Sequence, residues 1–219
     1  MNINLLKKKA AWEALKYIRP NTIVGVGTGS TIYYFIEALS TIKHFITGVV
    51  SSSHVSTLLL QKQGIKVFNV NDFHSIDTYV DSADEINNKM QMIKGGGGAL
   101  TGEKIISSMS KKFICIVDAS KQVTTLGKFP LPIEIIPMAK SYIATEIIKI
   151  GGYPEYRKNF FTDNRNIIID VYNLNIQDPI AMEKKINSLS GVVTVGLFFL
   201  RKSDIVIISA KNGIKTLKK

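Results

Sequence analysis

The chain contains one cysteine, Cys115, so no internal disulfide can form. Cys115 lies in the apolar run Phe113-Ile114-Cys115-Ile116-Val117, where a buried, inert thiol is expected and a reactive nucleophile is not. Long apolar runs are also missing. The longest, Val192 to Leu200, is interrupted by Thr194 and Gly196 and falls far short of the ~18 residues a membrane span needs. The first twenty residues carry Lys7-Lys8-Lys9 without a following apolar block or cleavage site, which reads as an amphipathic helix and not a secretory signal. The expected compartment is the cytoplasm. Histidine is scarce too: His44, His54 and His74 form no cluster with metal-ligand spacing, so no histidine- or cysteine-based metal site is expected. No G-x-S-x-G nucleophile elbow occurs. Acid–base chemistry, if present, falls to carboxylates and lysines.

Acidic residues are outnumbered, 17 against 28 basic, leaving a net charge of +11. Such an excess favours anionic partners, either nucleic acid or phosphorylated metabolites. The lysines are scattered, however, with no arginine-rich arm and no zinc-finger or RNA-binding signature, and a chain rich in Ile, Lys and Asn can arise from genome composition alone. A phosphorylated small molecule is therefore the expected partner, with neither nucleic acid nor membrane.

With 45% hydrophobic and 21% charged residues the 219-residue chain reads as an ordinary folded protein, one domain with a small appendage. Ala11, Leu15 and Ile18 stand at helical spacing before Pro20-Asn21 ends the first helix. Apolar runs at Thr22–Val26, Phe45–Val50, Ile65–Val67, Ile76–Val80 and Phe113–Val117 read as buried strands, separated by helix-like stretches near 30–39, 54–62 and 103–110. This alternation argues for an α/β fold with a Rossmann-like, mainly parallel sheet. From Leu131 to Asp204 the pattern becomes strand, helix, strands, helix, strand, as in a ferredoxin-like α+β module, with Asp178-Pro179 opening its second helix. The run Ile205–Ser209 is expected to rejoin the first sheet. The domains read as 1–130 plus 205–219, and 131–204.

Four segments carry candidate chemistry. Each follows a strand-like run, and ligands of parallel sheets bind at the carboxyl ends of the strands. Gly25-Val26-Gly27-Thr28-Gly29-Ser30-Thr31 opens a helix and suits a phosphate, through backbone N–H groups and hydroxyls; it matches neither the dinucleotide fingerprint nor a Walker loop. Its bland alternative is a glycine turn with an N-cap. Asp81 and Asp84, in Val80-Asp81-Ser82-Ala83-Asp84-Glu85, are two carboxylates on one turn, suited to proton shuttling, to a divalent metal, or simply to solvation. Lys94 with Gly95-Gly96-Gly97-Gly98 suggests close backbone approach to a ligand and an oxyanion site, against a flexible hairpin. Glu103, near a helix start, is read alone as a structural first-turn acid, and Lys121 in Asp118-Ala119-Ser120-Lys121 is unremarkable by itself.

Taken together, these pieces resemble the ribose-5-phosphate isomerase A family. Further matching segments are Ser51-Ser52-Ser53, Tyr79 to Glu85, Met92 to Leu100, Gly127-Lys128-Phe129-Pro130-Leu131-Pro132 and Gly191 to Phe198, so the resemblance runs the length of the chain. It implies a metal-free interconversion of D-ribose 5-phosphate and D-ribulose 5-phosphate in the pentose phosphate pathway, by a two-domain subunit that forms homodimers or homotetramers. It also implies that Glu103 carries a proton between C2 and C1, that Asp81 and Asp84 serve ring opening and proton movement between O1 and O2, and that Lys94 stabilises a cis-enediolate. Thr28, Gly29, Ser30, Thr31, Ser82, Ala83, Gly95, Gly96, Gly97 and Lys121 would line the substrate and its phosphate. Two positions depart from the family pattern: Ser82 stands where glycine is usual, which is harmless only if its φ stays negative, and Gly102 stands where a long residue is common. A catalytically silent phosphosugar sensor is the alternative on the same fold, although residues 1–20 are too short for its usual helix-turn-helix. A nucleotide-dependent oxidoreductase lacks its fingerprint.

Overall fold

β-branched apolar runs become sheet strands, and stretches with apolar residues three or four apart become covering helices. In the computed structural model, which describes residues 2–219, the first half of the chain runs α1 (Ile3–Ala14), β1 (Ile23–Val26), α2 (Ser30–Ser40), β2 (Gly48–Ser51), α3 (His54–Lys62), β3 (Ile76–Asp81), β4 (Glu85–Ile86), β5 (Met92–Ile93), α4 (Leu100–Met109) and β6 (Ser110–Asp118). The second half runs β7 (Leu131–Ile135), α5 (Lys140–Lys149), β8 (Tyr153–Tyr156), β9 (Ile167–Tyr172), α6 (Pro179–Asn187), β10 (Val192–Val195), β11 (Leu197–Phe198), β12 (Ile205–Ala210) and β13 (Gly213–Lys218). Among the described residues no helix is long and apolar enough to cross a membrane.

The chain forms two compact units, one of residues 1–83, 102–122 and 203–219, the other of residues 84–101 and 123–202. In the first unit six strands lie in the order β13-β12-β6-β3-β1-β2. Every pair but β12–β13 is parallel, and β12 returns beside β6 as expected, with Ile205 opposite Ile114. Its core joins Ala10, Ala11 and Ala14 of α1 and Phe35, Ile36 and Leu39 of α2 to Val24, Val26, Val80, Ile114, Ile116 and Ile207 of the strands. Small alanines let α1 come close to its neighbours. Cys115 is fully buried in β6.

In the second unit four antiparallel strands lie in the order β10-β7-β9-β8, which is the ferredoxin-like arrangement. Ile143 and Ile147 of α5 and Ile186 of α6 pack on Ile133, Ile135, Ile167 and Ile169. The Asp178 side chain caps α6 by accepting from the Ala181 N–H at 3.1 Å, with Pro179 at its first position. A separate three-stranded sheet, β11-β5-β4, joins the same unit.

The structure differs from the sequence reading in several places. Residues 84–101 and 123–130, assigned to the larger domain by sequence, fall in the smaller unit. The two-residue strands β4 and β5 pair with β11, and the Val123 N–H bonds to the Ile86 carbonyl, so both segments are tied there. The expected strand at Ile65–Val67 is a single bridge between Val49 and Val67 at the sheet edge, and a 3-10 turn at Lys43–Phe45 delays β2 to Gly48. The helix expected near 103–110 begins three residues earlier, and β13 has no counterpart in the sequence reading.

Candidate active site

In the first unit the carboxyl ends of β6, β3, β1 and β2 stand side by side; Asp81 and Ser51 are the last residues of β3 and β2, while Thr28–Thr31, Ser52–Ser53 and Lys121 follow β1, β2 and β6 respectively. Asp81 ends β3 with its side chain fully buried. Its Oδ1 accepts from the Thr28 N–H at 3.1 Å and from the Ser82 N–H at 2.7 Å, while its Oδ2 accepts from the Tyr79 hydroxyl. The carboxylate occupies the space above Gly27: a Cβ on that residue would stand 1.9 Å from Asp81 Oδ1, so glycine is required there by close approach.

The glycine turn leads into α2 with Gly29 at the N-cap position. Its three hydroxyls are not equivalent. Thr28 Oγ1 lies 2.8 Å from Ser52 Oγ and donates to Ser53 Oγ at 2.7 Å, which turns it toward the Ser51–Ser53 loop. Ser30 is exposed and its Oγ accepts from Lys7 Nζ at 2.9 Å, whereas Thr31 is buried. A helix N-terminus with a lysine ammonium beside it is suited to an anion. Lys7 was not anticipated, because within Lys7-Lys8-Lys9 it reads as part of a solvated helix face. Lys121 closes a 3-10 turn after β6 whose first carboxylate, Asp118, accepts from the Ser120 N–H at 3.0 Å.

Glu103 lies in the first turn of α4 and is 4% exposed. Close packing of α4 on the end of β2 brings it there: a Cβ on Gly102 would stand 2.2 Å from the Ser52 carbonyl oxygen, so a long residue at this position requires the helix start to sit further out. Burial pushes the Tyr79 phenol well above its ordinary range, with the negative charges of Asp81 and Glu103 adding to the shift, so Tyr79 stays a protonated donor. Ser82 is not among the five non-glycine residues with positive φ, and its side chain is accommodated without backbone strain.

Asp84, Lys94, Gly95, Gly96 and Gly97 belong to the second unit, whereas Ala83 still belongs to the first. Lys94 therefore follows β5 of the small sheet and not a strand of the parallel sheet, contrary to the sequence expectation for all four segments. It is 2% exposed; its N–H donates to the Gly196 carbonyl at 2.9 Å and its Nζ lies 5.4 Å from the centre of the Phe198 ring. Gly95 to Gly98 form a tight turn closed by the Gly98 N–H on the Gly95 carbonyl at 2.9 Å, with φ of +103° and +81° at its two ends, values that glycine adopts without strain. Asp84 holds this turn through its Oδ2, which accepts from the Gly96 N–H at 2.8 Å. Gly97 is exposed at the tip and Ala83 is buried. Arg157, absent from the sequence reading, pairs with Asp170 through two donors and reaches the Gly96 carbonyl at 3.2 Å. Glu85 is structural: its two oxygens accept from the Gly127 and Phe129 N–H groups at 2.8 and 2.6 Å. Among the described residues no group of three or more His, Cys, Asp or Glu side chains is placed to hold a metal ion.

The first unit is a parallel α/β sheet whose glycine turn, suited to an anion, stands beside the buried Asp81 carboxylate, and the second unit is a ferredoxin-like module bearing Lys94 and a glycine turn. Residues 48–213 match the family model for ribose 5-phosphate isomerase A (phosphoriboisomerase A). Ribose-5-phosphate isomerase A of Buchnera aphidicola subsp. Acyrthosiphon pisum (strain Tuc7) is 71% identical over 219 residues, covering 100% of this chain and 98% of the relative, and that of subsp. Schizaphis graminum (strain Sg) is 66% identical over 218 residues, covering 100% of both. Ribose 5-phosphate isomerase A from Neisseria gonorrhoeae superposes with a TM-score of 0.97 at 43% identity, covering 99% of this chain and 97% of the other. A D-ribose-5-phosphate isomerase solved in complex with phospho-erythronic acid superposes at 0.95 with 38% identity and complete coverage of both chains. This chain belongs to the ribose-5-phosphate isomerase A family.

Proposed function

We propose that the protein interconverts D-ribose 5-phosphate and D-ribulose 5-phosphate through a cis-enediolate, with Glu103 as the base. In the forward direction the ring opens: the O1 proton leaves, the C1–O4 bond breaks and O4 takes up a proton. Asp81 and Asp84 serve these transfers and the later exchange between O1 and O2. Glu103 then removes the C2 proton, the electron pair moves into a C1–C2 double bond, negative charge develops on oxygen, and the same carboxyl returns the proton to C1. Lys94 supplies the cation for that charge. Thr28 to Thr31, with Lys7 and Lys121, receive the phosphate; Ser82, Ala83 and the Gly95–Gly97 turn line the sugar.

The observation that supports this reading best is the burial of Glu103 at 4% and of Lys94 at 2% exposure, since Glu and Lys are rarely withdrawn from water unless paired or in use. Moving a carbonyl by one carbon needs a base for a weak carbon acid and a cation for the oxyanion, and these are the two groups supplied. Assembly into a homodimer or homotetramer, residence in the cytoplasm and a place in the pentose phosphate pathway complete the proposal. Incubation of the purified protein with ribose 5-phosphate in EDTA, with ribulose 5-phosphate followed directly, is the test. Formation of the ketose is expected, and its absence would favour a silent phosphosugar sensor.

A further inference from the structure

Tyr79 is a buried aromatic on β3 that reads from sequence as core, yet its hydroxyl ends beside the acidic turn. The ring is fully buried and has no freedom to swing. It packs on Phe113 of β6, its partner in strand register, with ring centres 5.0 Å apart. On its other side Gly25 of β1 leaves it room, and a Cβ there would stand 2.8 Å from Tyr79 Cδ2.

Residues two apart on a strand point to one face, so Tyr79 and Asp81 are side by side. The Tyr79 hydroxyl donates to Asp81 Oδ2. On the other side of the carboxylate the Thr28 N–H donates to Asp81 Oδ1 at 3.1 Å, and Thr28 Oγ1 is 2.8 Å from Ser52 Oγ. Tyr79, Asp81, Thr28 and Ser52 thus form a continuous chain of hydrogen bonds that ties the end of β3 to the loops after β1 and β2. Linked hydrogen bonds of this kind hold their members in one arrangement and strengthen one another.

The geometry points to Tyr79 as a positioning residue: its packed ring aims the hydroxyl, the hydroxyl fixes the Asp81 carboxylate, and through Thr28 that carboxylate is held in register with the glycine turn. This rests on the reading in which Asp81 moves protons on the substrate. Substrate binding is not its task, so its signature is a loss of kcat with KM unchanged.

The test is Tyr79→Phe, which keeps the ring and removes only the hydroxyl, measured beside Asp81→Asn. A hydrogen bond to a charged group is lost, and kcat is expected to fall about 10- to 100-fold while KM stays within about two-fold and the melting temperature shows a folded protein. Wild-type kcat in Tyr79→Phe, with Asp81→Asn inactive, overturns the inference and leaves the reading of Asp81 intact. A rise in KM alone also overturns it. If Asp81→Asn itself turns over at the wild-type rate, the role of Asp81 falls and the inference falls with it. Should Tyr79→Phe not fold, Phe113→Leu loosens the ring packing that aims the hydroxyl, and wild-type kcat in that folded variant is equally fatal.

Discussion

Gly27→Ala adds one methyl group at the most crowded point of the first unit. The new Cβ would stand 1.9 Å from Asp81 Oδ1, 2.0 Å from its Cγ and 2.6 Å from its Cβ, so the whole carboxyl group is in the way. That group cannot step aside freely, because Thr28, Ser82 and Tyr79 all donate to it. Either the β1 backbone shifts or the carboxylate gives up at least one of these bonds. Overpacking of this kind costs ~1–3 kcal/mol, and a forfeited hydrogen bond to a charged group costs ~1.5–3 kcal/mol. A combined loss of about 3 kcal/mol in a protein of this size lowers the melting temperature by roughly 6–12 °C. The displaced carboxylate should also lower turnover about ten-fold or more. Thermal unfolding by circular dichroism and the ketose assay read the two effects separately. A melting temperature within about 1 °C of wild type together with unchanged turnover would refute the claim that Asp81 is seated on Gly27.

Lys94→Met keeps the buried stem and removes the ammonium, so kcat should fall by roughly 10²–10³ with the fold intact, the scale for losing one oxyanion donor; a rise in KM alone would make Lys94 a tether. Glu134 is fully buried and accepts from Thr101 Oγ1 at 2.5 Å, Thr162 Oγ1 at 2.8 Å, Asn166 Nδ2 at 2.9 Å and Asn164 Nδ2 at 3.3 Å. Glu134→Ala strands these donors and should cost at least ~3 kcal/mol in urea unfolding. Because the Tyr79 phenol is raised above its ordinary value of 10.0, the folded state holds that proton longer than the unfolded chain. Its contribution is whole below about pH 10 and declines as pH rises through the folded value. Urea titrations from pH 8 to 11 should show a decline in wild type that is shallower in Tyr79→Phe.

Much of the fold was legible because buried parallel strands read as continuous apolar runs. Thr22–Val26, Ile76–Val80, Phe113–Val117 and Ile205–Ser209 all correspond to strands of the six-stranded sheet. What escaped had no such signal. β13 is an edge strand with most residues exposed, so Ile214 and Leu217 among lysines do not mark it, and β4 and β5 are two residues each, too short for any periodicity. These short strands are also why residues 84–101 group with the second unit.

Candidate site residues were legible where glycine is dense, since a chain seldom keeps four glycines in a row without a use. Their partners were not. Tyr79 looks like core because its ring is core and only the hydroxyl has a task. Lys7 is one of three consecutive lysines, and only the helix rotation sets it beside Ser30. Arg157 lies some sixty residues from Gly96 in the chain, and the pairing of β8 with β9 sets it beside Asp170, which no local pattern in the sequence announces.

The most direct measurement of the central claim is solvent deuterium exchange into C2 of recovered ribose 5-phosphate, in wild type and in Glu103→Gln. Gln keeps the size and reach of the side chain, and the loss of a buried first-turn acid costs up to ~2 kcal/mol through the helix dipole, so the variant should remain folded. Exchange and turnover should both fall by at least 10²–10⁴-fold, the value of a positioned general base, while substrate still binds. Wild-type exchange in Glu103→Gln would contradict the account, making Glu103 a structural helix-start residue and moving the base to Asp81 or Asp84.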